Sequence, residues 1–432
     1  MTFSPGVERQ SLTAIQECQE NGLQELINYI AAKSPFYQKL FRQHNINPAD
    51  IKSLRDLTRI PATTKDDLQQ NNWDFLCVDR SRIVEFTSTS GTLGKPVTIA
   101  LTENDLNRLA YNEEVSFRCA DGTDEDVYQL MLTLDRQFMA GMAYYQGIRR
   151  LGGAIVRVGP GLPAMQLETI QRLQPTILVA VPSFLVRLIE YAKSKDIDLN
   201  SLSVKRAICI GESIRRPDFA FNIIGQRIVE SWNIQLYGTY ASTEMQTAFT
   251  ECGHGVGGHH RPDLIIVELL DEQQNPVPPN MPGEVTVTTL GVEGMPLLRY
   301  RTGDMAVAYY EPCPCGRNTL RLGPILGRKQ QLIKFKGTTL YPPGIFEIMN
   351  EIDCVRDYVV EAFTSDLGTD EIRIYVTVDG PYQDDALKTL TAAFQSRLRV
   401  VPQINVVADE SLEKMQHAPG ARKVTRFIDR RA

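Results

Sequence analysis

Apolar residues between positions 10 and 75 recur at the spacing expected of helices. Those on one predicted helix face are Leu23, Leu26, Ile27 and Ile30. A second helix is predicted to start at Ser34-Pro35, because serine is a favoured N-cap and proline is tolerated in the first turn. A third capped helix is predicted near Thr64. This pattern predicts a helical amino-terminal region and indicates no function.

Beyond residue 82, apolar stretches of strand length alternate with helical stretches. The predicted strands are residues 82–86, 97–101, 127–134, 154–158, 176–181 and 207–210. Helices are predicted over 144–151 and from Pro182 onward. This alternation predicts an α/β fold with a largely parallel sheet, in which ligands bind at the carboxyl ends of strands. Glu212, Ser213 and the loop 240–244 lie at such ends.

The pattern changes between residues 264 and 308, where short strands alternate with turns. Strands predicted at 264–270 and 283–288 indicate a separate antiparallel sheet or barrel. The remainder of the chain has the pattern of a small α+β unit. We therefore predict a large amino-terminal domain over residues 1–328 and a smaller carboxyl-terminal domain over residues 329–432.

Composition narrows the class of protein but not its activity. The 432 residues are enough for two or three domains, and 43% hydrophobic with 23% charged residues is typical of a globular chain. A net charge of −6 argues against nucleic acid or an anionic membrane surface as the main partner. No apolar run is long enough to span a bilayer, and the amino terminus lacks the features of a signal peptide. We therefore expect a cytoplasmic protein, and the scattered cysteines argue against a disulfide framework.

The most informative stretch is the run Thr-Ser-Thr-Ser-Gly-Thr-Leu-Gly-Lys-Pro at residues 87–96, between two predicted strands. Glycines let the backbone approach a phosphate, hydroxyls and N–H groups donate hydrogen bonds to it, and Lys95 adds a positive charge. The run is not a Walker A loop, because two residues separate Gly91 from Gly94 and a proline follows the lysine. We predict a triphosphate-binding loop; the alternative is a solvent-exposed loop of the same composition.

Four further motifs follow this loop in chain order. They are Tyr240-Ala241-Ser242-Thr243-Glu244, Arg299-Tyr300-Arg301-Thr302-Gly303-Asp304, Gly327-Arg328 with Lys336-Gly337, and Gly420-Ala421-Arg422-Lys423. Together with the loop they resemble the motifs of acyl-adenylate-forming enzymes: Tyr-Gly-x-Thr-Glu, Tyr-x-Thr-Gly-Asp, an inter-domain hinge and a carboxyl-terminal lysine. Other stretches resemble the phenylacetate–coenzyme A ligase branch, and they lie at residues 34–37, 64–68, 295–300 and 338–342. The similarity runs from about residue 30 to the end of the chain.

The chain departs from the family pattern at three positions. Ala241 replaces the glycine of Tyr-Gly-x-Thr-Glu. Gln330 stands where the hinge commonly has Asp or Lys, a change that bears on the electrostatic control of domain rotation. Gly420 is three residues before Lys423, whereas the family glycine usually stands directly before its lysine, so the register of the lysine rests on the residues that follow it.

The resemblance implies an AMP-forming ligase. Such an enzyme converts a carboxylic acid and ATP into an acyl-adenylate with release of pyrophosphate, and the thiol of coenzyme A then displaces AMP. For this chain the branch implies an aromatic, phenylacetate-like acid, Mg²⁺, a small mobile carboxyl-terminal lid and a homodimer. The alternatives are an adenylating enzyme with another acceptor, such as a carrier-protein thiol or a deazaflavin cofactor, and a nucleotide-binding zinc protein without turnover.

The resemblance also assigns residues to the nucleotide. Those expected to hold the β- and γ-phosphates are Ser88, Thr89, Ser90, Gly91, Thr92, Gly94 and Lys95. Those expected around adenosine and the hinge are Gly211, Glu212, Ser213, Tyr240, Ala241, Ser242, Asp304 and Arg328, with Asp304 at the ribose hydroxyls. Thr243 would contact the α-phosphate, Glu244 would hold Mg²⁺, and Lys423 would bridge the substrate carboxylate and α-phosphate. The structural alternatives are a turn residue for Asp304, a helix cap for Glu244 and a solvated tail charge for Lys423.

Two short stretches gather cysteine and histidine. Cys313-Pro314-Cys315-Gly316 is a tight hairpin, and Cys252 is followed by His254, His259 and His260. Three thiols and one imidazole suit Zn²⁺ in a closed tetrahedral site, which would be structural. The resemblance points to His259 as the fourth ligand beside Cys252 and the two hairpin thiols, with His254 as the rival. Surface thiols beside a glycine-rich loop with solvated histidines are the alternative.

The stretch 135–145, Asp-Arg-Gln-Phe-Met-Ala-Gly-Met-Ala-Tyr-Tyr, lies where relatives place acid-binding residues. Its aromatic and methionine content favours an apolar, aromatic acid. A core helix that packs its apolar face is the alternative.

Overall fold

The computed structural model describes residues 3–89, 97–335, 338–365, 369–378, 383–416 and 425–431. The chain divides into two compact units, here called the large unit and the small unit. The large unit comprises Met1–Thr302 and Ala306–Ile325, and the small unit comprises Gly303–Met305 and Leu326–Ala432. The domain boundary predicted between residues 328 and 329 stays a prediction.

The described helices are α1 (Leu12–Lys33), α2 (Pro35–Gln43), α3 (Lys65–Gln70), α4 (Glu103–Cys119), α5 (Met139–Leu151), α6 (Pro163–Leu173), α7 (Pro182–Ser194), α8 (Ile223–Ser231), α9 (Pro342–Asn350), α10 (Gln383–Leu398) and α11 (Asp409–Gln416). The predicted start of α2 is confirmed, because the Tyr37 N–H donates a hydrogen bond to Ser34 Oγ at 3.4 Å and Pro35 is the first helical residue. Thr64 caps α3 in a capping box with Asp67. None of the described helices combines the length and apolar character needed to span a bilayer.

The described strands are β1 (Ile83–Ser88), β2 (Thr98–Thr102), β3 (Val127–Leu130), β4 (Ala154–Arg157), β5 (Ile177–Ala180), β6 (Arg206–Cys209), β7 (Gln235–Ala241), β8 (Ala248–Glu251), β9 (Gly258–His259), β10 (Ile265–Leu270), β11 (Pro282–Thr289), β12 (Tyr300–Tyr309), β13 (Arg321–Leu322), β14 (Gly327–Arg328), β15 (Ile333–Phe335), β16 (Thr338–Leu340), β17 (Val355–Thr364), β18 (Asp370–Val378), β19 (Gln403–Val406) and β20 (Phe427–Arg430). β1 and β2 pair antiparallel, with Ser88 opposite Thr98. The strands predicted on either side of the glycine-rich loop are therefore confirmed.

One sheet organises the large unit. Its strands β4, β3, β5, β6 and β7 pair in parallel in that order, and α5 to α8 connect them along the chain. β7 also pairs antiparallel with β8, and the sheet continues through β9, β13, β12 and β11 to β10. The predicted α/β class with a parallel sheet is confirmed. The antiparallel strands predicted after residue 264 are also present, but they extend this sheet through β7 and β8 and do not form a sheet of their own.

The predicted face of α1 is a buried face. Its residues Leu23, Leu26, Ile27 and Ile30 are at most 4% exposed. They belong to an apolar cluster that includes side chains of β2, β10 and β11. β5 is buried along its length, because side chains of α6 and α7 pack beside it in one cluster and side chains of α5 in another. This packing fixes the ends of the parallel strands, where the predicted ligand-binding loops begin.

The small unit has a core of its own. Its described sheet has the strand order β19-β18-β17-β20, and β15 pairs with β16 as a hairpin. Side chains of α9 and α10 join those of β17 and β18 in one buried cluster. The α+β character predicted for this part of the chain is confirmed.

Candidate nucleotide site and metal centre

The predicted adenine-binding residues lie at the carboxyl ends of two neighbouring parallel strands. β6 and β7 pair with Cys209 opposite Gly238. The loop 211–213 follows β6, and Tyr240 is near the end of β7. Both predicted walls of the adenine site therefore lie at one edge of the sheet. This edge, with residues 211–213 and 240–244, is here called the nucleotide edge.

The loop after β6 is fixed by hydrogen bonds. Gly211 has a φ of +74°, a left-handed conformation that favours glycine. The Glu212 carboxylate accepts hydrogen bonds from the Ser183 N–H and from Ser183 Oγ, both at 2.9 Å. The Ser213 carbonyl accepts a hydrogen bond from Asn222 Nδ2 at 2.7 Å. Because Ser183 engages the carboxylate, the backbone of this loop is the part that is available to line a base.

Tyr240 and Ala241 end strand β7. Tyr240 is half-buried and packs against Phe249 of β8, with ring centroids 6.0 Å apart. Ala241 is exposed. The Tyr240 ring is therefore supported on the β8 side while part of it remains accessible.

The motif continues into the turn between β7 and β8. Ser242 Oγ accepts a hydrogen bond from the Met245 N–H at 3.3 Å. Thr243 is half-buried, and Glu244 is 9% exposed. Glu244 lies within this turn and not at the start of a helix. The helix-cap alternative for Glu244 is therefore wrong.

The described part of the glycine-rich loop is its base. The Thr89 N–H donates to the Val97 carbonyl and the Val97 N–H donates to Thr89 Oγ1, both at 3.0 Å. The Ser88 N–H donates to the Gln137 carbonyl at 3.0 Å, which ties the loop to the turn before α5. The predicted contacts that lie outside the described residues are Ser90, Gly91, Thr92, Gly94, Lys95 and Lys423.

Asp304 and Arg328 belong to the small unit. They lie opposite each other on β12 and β14, and Arg328 Nε is 3.4 Å from Asp304 Oδ1. Asp304 is within strand β12, so the turn alternative for this residue is wrong. Gln330 lies in the short 3₁₀ turn Lys329–Gln331, and its carbonyl accepts a hydrogen bond from the Arg431 guanidinium at 2.9 Å. The predicted hinge is therefore held by a carboxyl-terminal side chain that the sequence did not indicate.

Four potential metal ligands converge in the large unit. Their donor atoms, from Cys252, His259, Cys313 and Cys315, all lie within 4.8 Å of one another. Cys252 Sγ is 3.7 Å from Cys313 Sγ, and Cys315 Sγ is 3.4 Å from His259 Nε2. His254 is exposed and does not belong to this group. These four residues are here called the Cys/His cluster.

The separation of two of these sulfurs matches that in a tetrahedral metal site. Zn–S bonds of about 2.3 Å at a tetrahedral centre separate two sulfurs by about 3.8 Å, close to the 3.7 Å between Cys252 and Cys313. All three thiols are free. Burial and the neighbouring arginines lower the pKa of His259 to about 3, so the imidazole is neutral, as a metal ligand must be. His259 Nδ1 is buried without a hydrogen-bond partner among the described residues.

Positive charge lies beside the cluster. Arg317 Nη1 donates a hydrogen bond to Cys315 Sγ at 3.5 Å. Burial opposes ionisation of Cys315, but hydrogen bonds from Arg317 and from the neighbouring thiols lower its pKa overall. Burial and the adjacent thiols raise the pKa of Cys252 to about 12. The thiols therefore differ in how readily they ionise when no cation joins them.

Cys119 and Ser183 contact the candidate sites although the sequence did not indicate them. Cys119 packs against Cys252 and Cys313, and its Sγ donates to the Thr250 carbonyl at 3.4 Å, but it is outside the ligand group. Ser183 holds the Glu212 carboxylate. Cys119 is a lone cysteine in the sequence, so no spacing could have indicated its neighbours. Ser183 follows a predicted strand, which is the one signal that could have placed it at the nucleotide edge.

The aromatic stretch 135–145 is divided between a turn and a helix. Met139 and Tyr144 are buried in apolar clusters, as the core-helix alternative predicts. Phe138 and Tyr145 are half-buried. A role in binding the acid stays a prediction for this stretch.

Comparison with known proteins agrees with this geometry. Residues 38–294, more than half of the chain, match the model of the family described as AMP-binding enzyme. The chain is 28% identical to the phenylacetate–coenzyme A ligase of Thermus thermophilus, over 88% of this chain and 85% of the relative. It is 25% identical to that of Aromatoleum evansii, over 100% of this chain and 98% of the relative. The crystal structure of 2-hydroxyisobutyryl-CoA ligase in the postadenylation state has the same fold, with a TM-score of 0.83, 22% identity, and coverage of 99% of this chain and 94% of that chain. The predicted resemblance is confirmed, and the chain belongs to the AMP-binding enzyme family.

Proposed function

We propose that this protein is an AMP-forming ligase that activates a carboxylic acid with ATP and transfers the acyl group to coenzyme A. The observation that carries the proposal is the nucleotide edge, where the Tyr240–Glu244 motif and the Gly211–Ser213 loop lie at the carboxyl ends of adjacent parallel strands. Open α/β sheets bind their ligands at such an edge. Relatives named phenylacetate–coenzyme A ligase support an aromatic acid of the phenylacetate type as the substrate.

Adenosine is proposed to bind between Tyr240 and the backbone of Gly211–Ser213. Phe249 supports the tyrosine ring, which favours stacking of a planar base on its accessible part. Asp304 would accept hydrogen bonds from both ribose hydroxyls, because an ionised carboxylate is acceptor-only. Arg328 would hold that carboxylate in place from 3.4 Å away.

The phosphates and the acid are proposed to meet at the turn after β7. Thr243 would contact the α-phosphate, and Glu244 would hold Mg²⁺, which neutralises charge on the phosphates when bound. Glu244 is buried within a turn, and this position would hold its carboxylate in place as a metal ligand. Lys95 would bind the β- and γ-phosphates, and Lys423 would bridge the carboxylate and α-phosphate.

The Cys/His cluster is proposed to hold a structural Zn²⁺. Four protein ligands leave no open position, so the ion would not take part in catalysis. A Zn²⁺ ion with three thiolates and a neutral imidazole carries one net negative charge. Arg317, which donates to Cys315 Sγ, would balance this charge. When bound, the ion would cross-link the end of β8, strand β9 and the 313–315 hairpin and so stabilise the fold.

Pyrophosphate release over a panel of carboxylic acids, each with and without coenzyme A, tests the proposed activity. We expect release that depends on ATP and Mg²⁺ with aryl acids such as phenylacetate, together with formation of the thioester, measured by mass spectrometry. Release without thioester would favour another acceptor, such as a carrier-protein thiol or a deazaflavin cofactor. Binding of AMP without release for any acid would favour a nucleotide-binding protein without turnover.

A carboxyl-terminal lid over residues 329–432, a homodimer and a cytoplasmic location stay predictions. Two of them can be tested on the purified protein. Limited proteolysis around residue 329 would locate the boundary of the lid. Sedimentation analysis would give the oligomeric state.

A further inference from the structure

A buried ion pair connects the nucleotide edge to the Cys/His cluster. Glu251 ends β8 and is followed directly by Cys252. Arg215 comes two residues after Ser213, within the segment that connects β6 to α8. Its Nε donates to both carboxylate oxygens of Glu251, at 2.9 and 3.0 Å. The two side chains are 12% and 8% exposed, so solvent and salt screen the pair little.

Glu251 also holds the strand that carries Tyr240. Its Oε2 accepts a hydrogen bond from the Gly238 N–H at 3.1 Å. Gly238 is the last residue of β7 that pairs with β6, and Thr239 is the first that pairs with β8. The Glu251 carboxylate therefore accepts a hydrogen bond from the backbone at the point where β7 stops pairing with β6 and starts pairing with β8.

Arg215 is fixed on its other sides as well. Its Nη1 donates to the Phe219 carbonyl at 2.9 Å, and its guanidinium carbon lies 4.4 Å from the centroid of the Phe221 ring. Ser213 Oγ donates to the Arg215 carbonyl at 2.9 Å. A Cβ at Gly255 would lie 2.1 Å from Arg215 Nη2, so a side chain there would have to displace the guanidinium. These contacts hold the guanidinium from several sides.

We propose that Arg215 and Glu251 are positioning residues for the nucleotide. The pair joins the loop 211–213 to β7, which form the two proposed walls of the adenine site, and so sets the separation between them. Neither side chain would touch the nucleotide. Because Glu251 precedes Cys252, the pair also couples the order of the Cys/His cluster to the nucleotide edge. This inference rests on the proposed function and adds to it.

A second ion pair in the same sheet provides a matched control. Arg206 begins β6, and its Nη2 lies 2.9 Å from Asp126 Oδ1. The side chains of Arg206 and Asp126 are 18% and 6% exposed. Asp126 directly precedes β3, so this pair lies at the amino ends of the parallel strands, away from the nucleotide edge. If both ion pairs contributed only to stability, disrupting either one should lower the melting temperature and leave AMP binding unchanged.

Arg215→Met and Glu251→Gln should raise the KM for ATP and the Kd for AMP by about 10-fold, a size typical of residues that act through others. The KM values for the acid and for coenzyme A should change much less. Arg215→Lys should recover part of the loss, because it keeps the charge but not the planar set of donors. Arg206→Met and Asp126→Asn should lower the melting temperature and leave AMP binding unchanged. AMP binding is measured by calorimetry well below the melting temperature of each variant.

Equal AMP binding in the wild type, Arg215→Met and Glu251→Gln would overturn the positioning role. If Arg215→Met does not fold, Arg215→Lys and Glu251→Gln decide the question. Removal of metal from the wild type by a chelator should weaken AMP binding, as the Arg215 and Glu251 variants do. Unchanged AMP binding by the metal-free protein would overturn the coupling to the cluster. Because calorimetry needs no turnover, a wild type that binds AMP but forms no thioester would contradict the proposed function alone.

Discussion

The nucleotide edge and the Cys/His cluster are linked through Glu251, which directly precedes Cys252, but each region is held together in a different way. At the nucleotide edge, protein groups satisfy one another, as Ser183 and Glu212 do at 2.9 Å. In the cluster, three thiols and the imidazole of His259 lie within 4.8 Å of one another. The Nδ1 atom of that imidazole has no hydrogen-bond partner in the part of the chain that the structure describes. The first arrangement is made by hydrogen bonds within the protein, whereas the second would be completed by the cation proposed to join its donors.

This difference indicates where a bound ligand contributes to folding. Loss of nucleotide should leave the backbone of the nucleotide edge in place, because its hydrogen bonds are made within the protein. Loss of a cation should leave buried thiols whose ionisation burial opposes, as for Cys252 with its pKa of about 12. We therefore expect changes at the nucleotide edge to alter catalysis and changes at the cluster to alter stability.

The largest effect is expected at Lys423, the proposed contact with both reacting groups. Lys423→Ala should slow adenylation by about 10²–10³-fold, roughly 3–4 kcal/mol, because it removes charge that stabilises the transition state. Transfer from a supplied acyl-adenylate to coenzyme A should be largely unchanged, since the resemblance implies that the lid has rotated by then. Single-turnover assays of the two half-reactions measure both rates.

Arg422→Ala is the matched control, one residue away in the same basic stretch. It should spare both half-reactions. If the two variants behave alike, or if Lys423→Ala loses both half-reactions equally, the register of the carboxyl-terminal motif is wrong.

Two adjacent histidines allow a sharp test of the cluster. His259 lies among the thiols, whereas His260 Nε2 is 2.5 Å from the Ile265 carbonyl. His259→Gln should abolish stoichiometric zinc and lower the free energy of unfolding by on the order of 3 kcal/mol, since loss of a metal is among the few strongly destabilising changes. Cys313→Ser should do the same, and His260→Gln should retain zinc. Elemental analysis and denaturant unfolding give the two quantities, and purified wild type without zinc would contradict the proposed site.

Much of the nucleotide edge could be predicted from the sequence because its residues are contiguous. Gly211–Ser213 follows a predicted apolar strand, and the rule for parallel sheets puts it and the predicted loop Tyr240–Glu244 at strand ends. The strand that carries Tyr240 and Ala241 was not predicted. The fold class followed from the alternation of apolar stretches in the same way. The extension of the sheet beyond residue 264 could not be predicted, because local periodicity does not show that β7 pairs with both β6 and β8.

Contacts between distant segments could not be predicted from the residues alone, although the family resemblance indicated those of the Cys/His cluster. The choice between His254 and His259 depends on which residue the turn after β8 directs toward the 313–315 hairpin. The contact of Arg215 with Glu251 depends in turn on the pairing of β6, β7 and β8. The family resemblance pointed to His259, but no spacing of residue types along the chain indicates the contacts that place Arg215 beside Glu251. These contacts follow from the order of strands in the sheet.

A smaller effect is expected at Gly211, whose φ of +74° favours glycine. A side chain in this conformation costs about 1–2 kcal/mol, so Gly211→Ala should shift the loop and raise the KM for ATP by up to about tenfold. Gly291→Ala is the control, because Gly291 has a similar φ of +69° in the loop after β11. Both variants should lower the melting temperature, and steady-state kinetics should separate them. A similar rise in KM for both would mean that the effect comes from general loss of stability.

The smallest effect is expected at Ser183, and its size tests how the nucleotide edge is built. Ser183→Ala removes the bond from Oγ to Glu212 Oε1 but keeps the bond from the N–H to Oε2. One hydrogen bond of this kind contributes about 1 kcal/mol, so the KM for ATP should rise no more than about fivefold, with kcat unchanged. Ser201→Ala is the control, because its hydroxyl donates only to the Asp198 carbonyl in another exposed turn. A rise in the KM for the acid alone would mean that the loop after β6 contacts the acid and not adenine. If Ser183→Ala lowered the free energy of unfolding as much as is expected for His259→Gln, the nucleotide edge would, like the cluster, depend on single contacts. The contrast between the two regions would then fail.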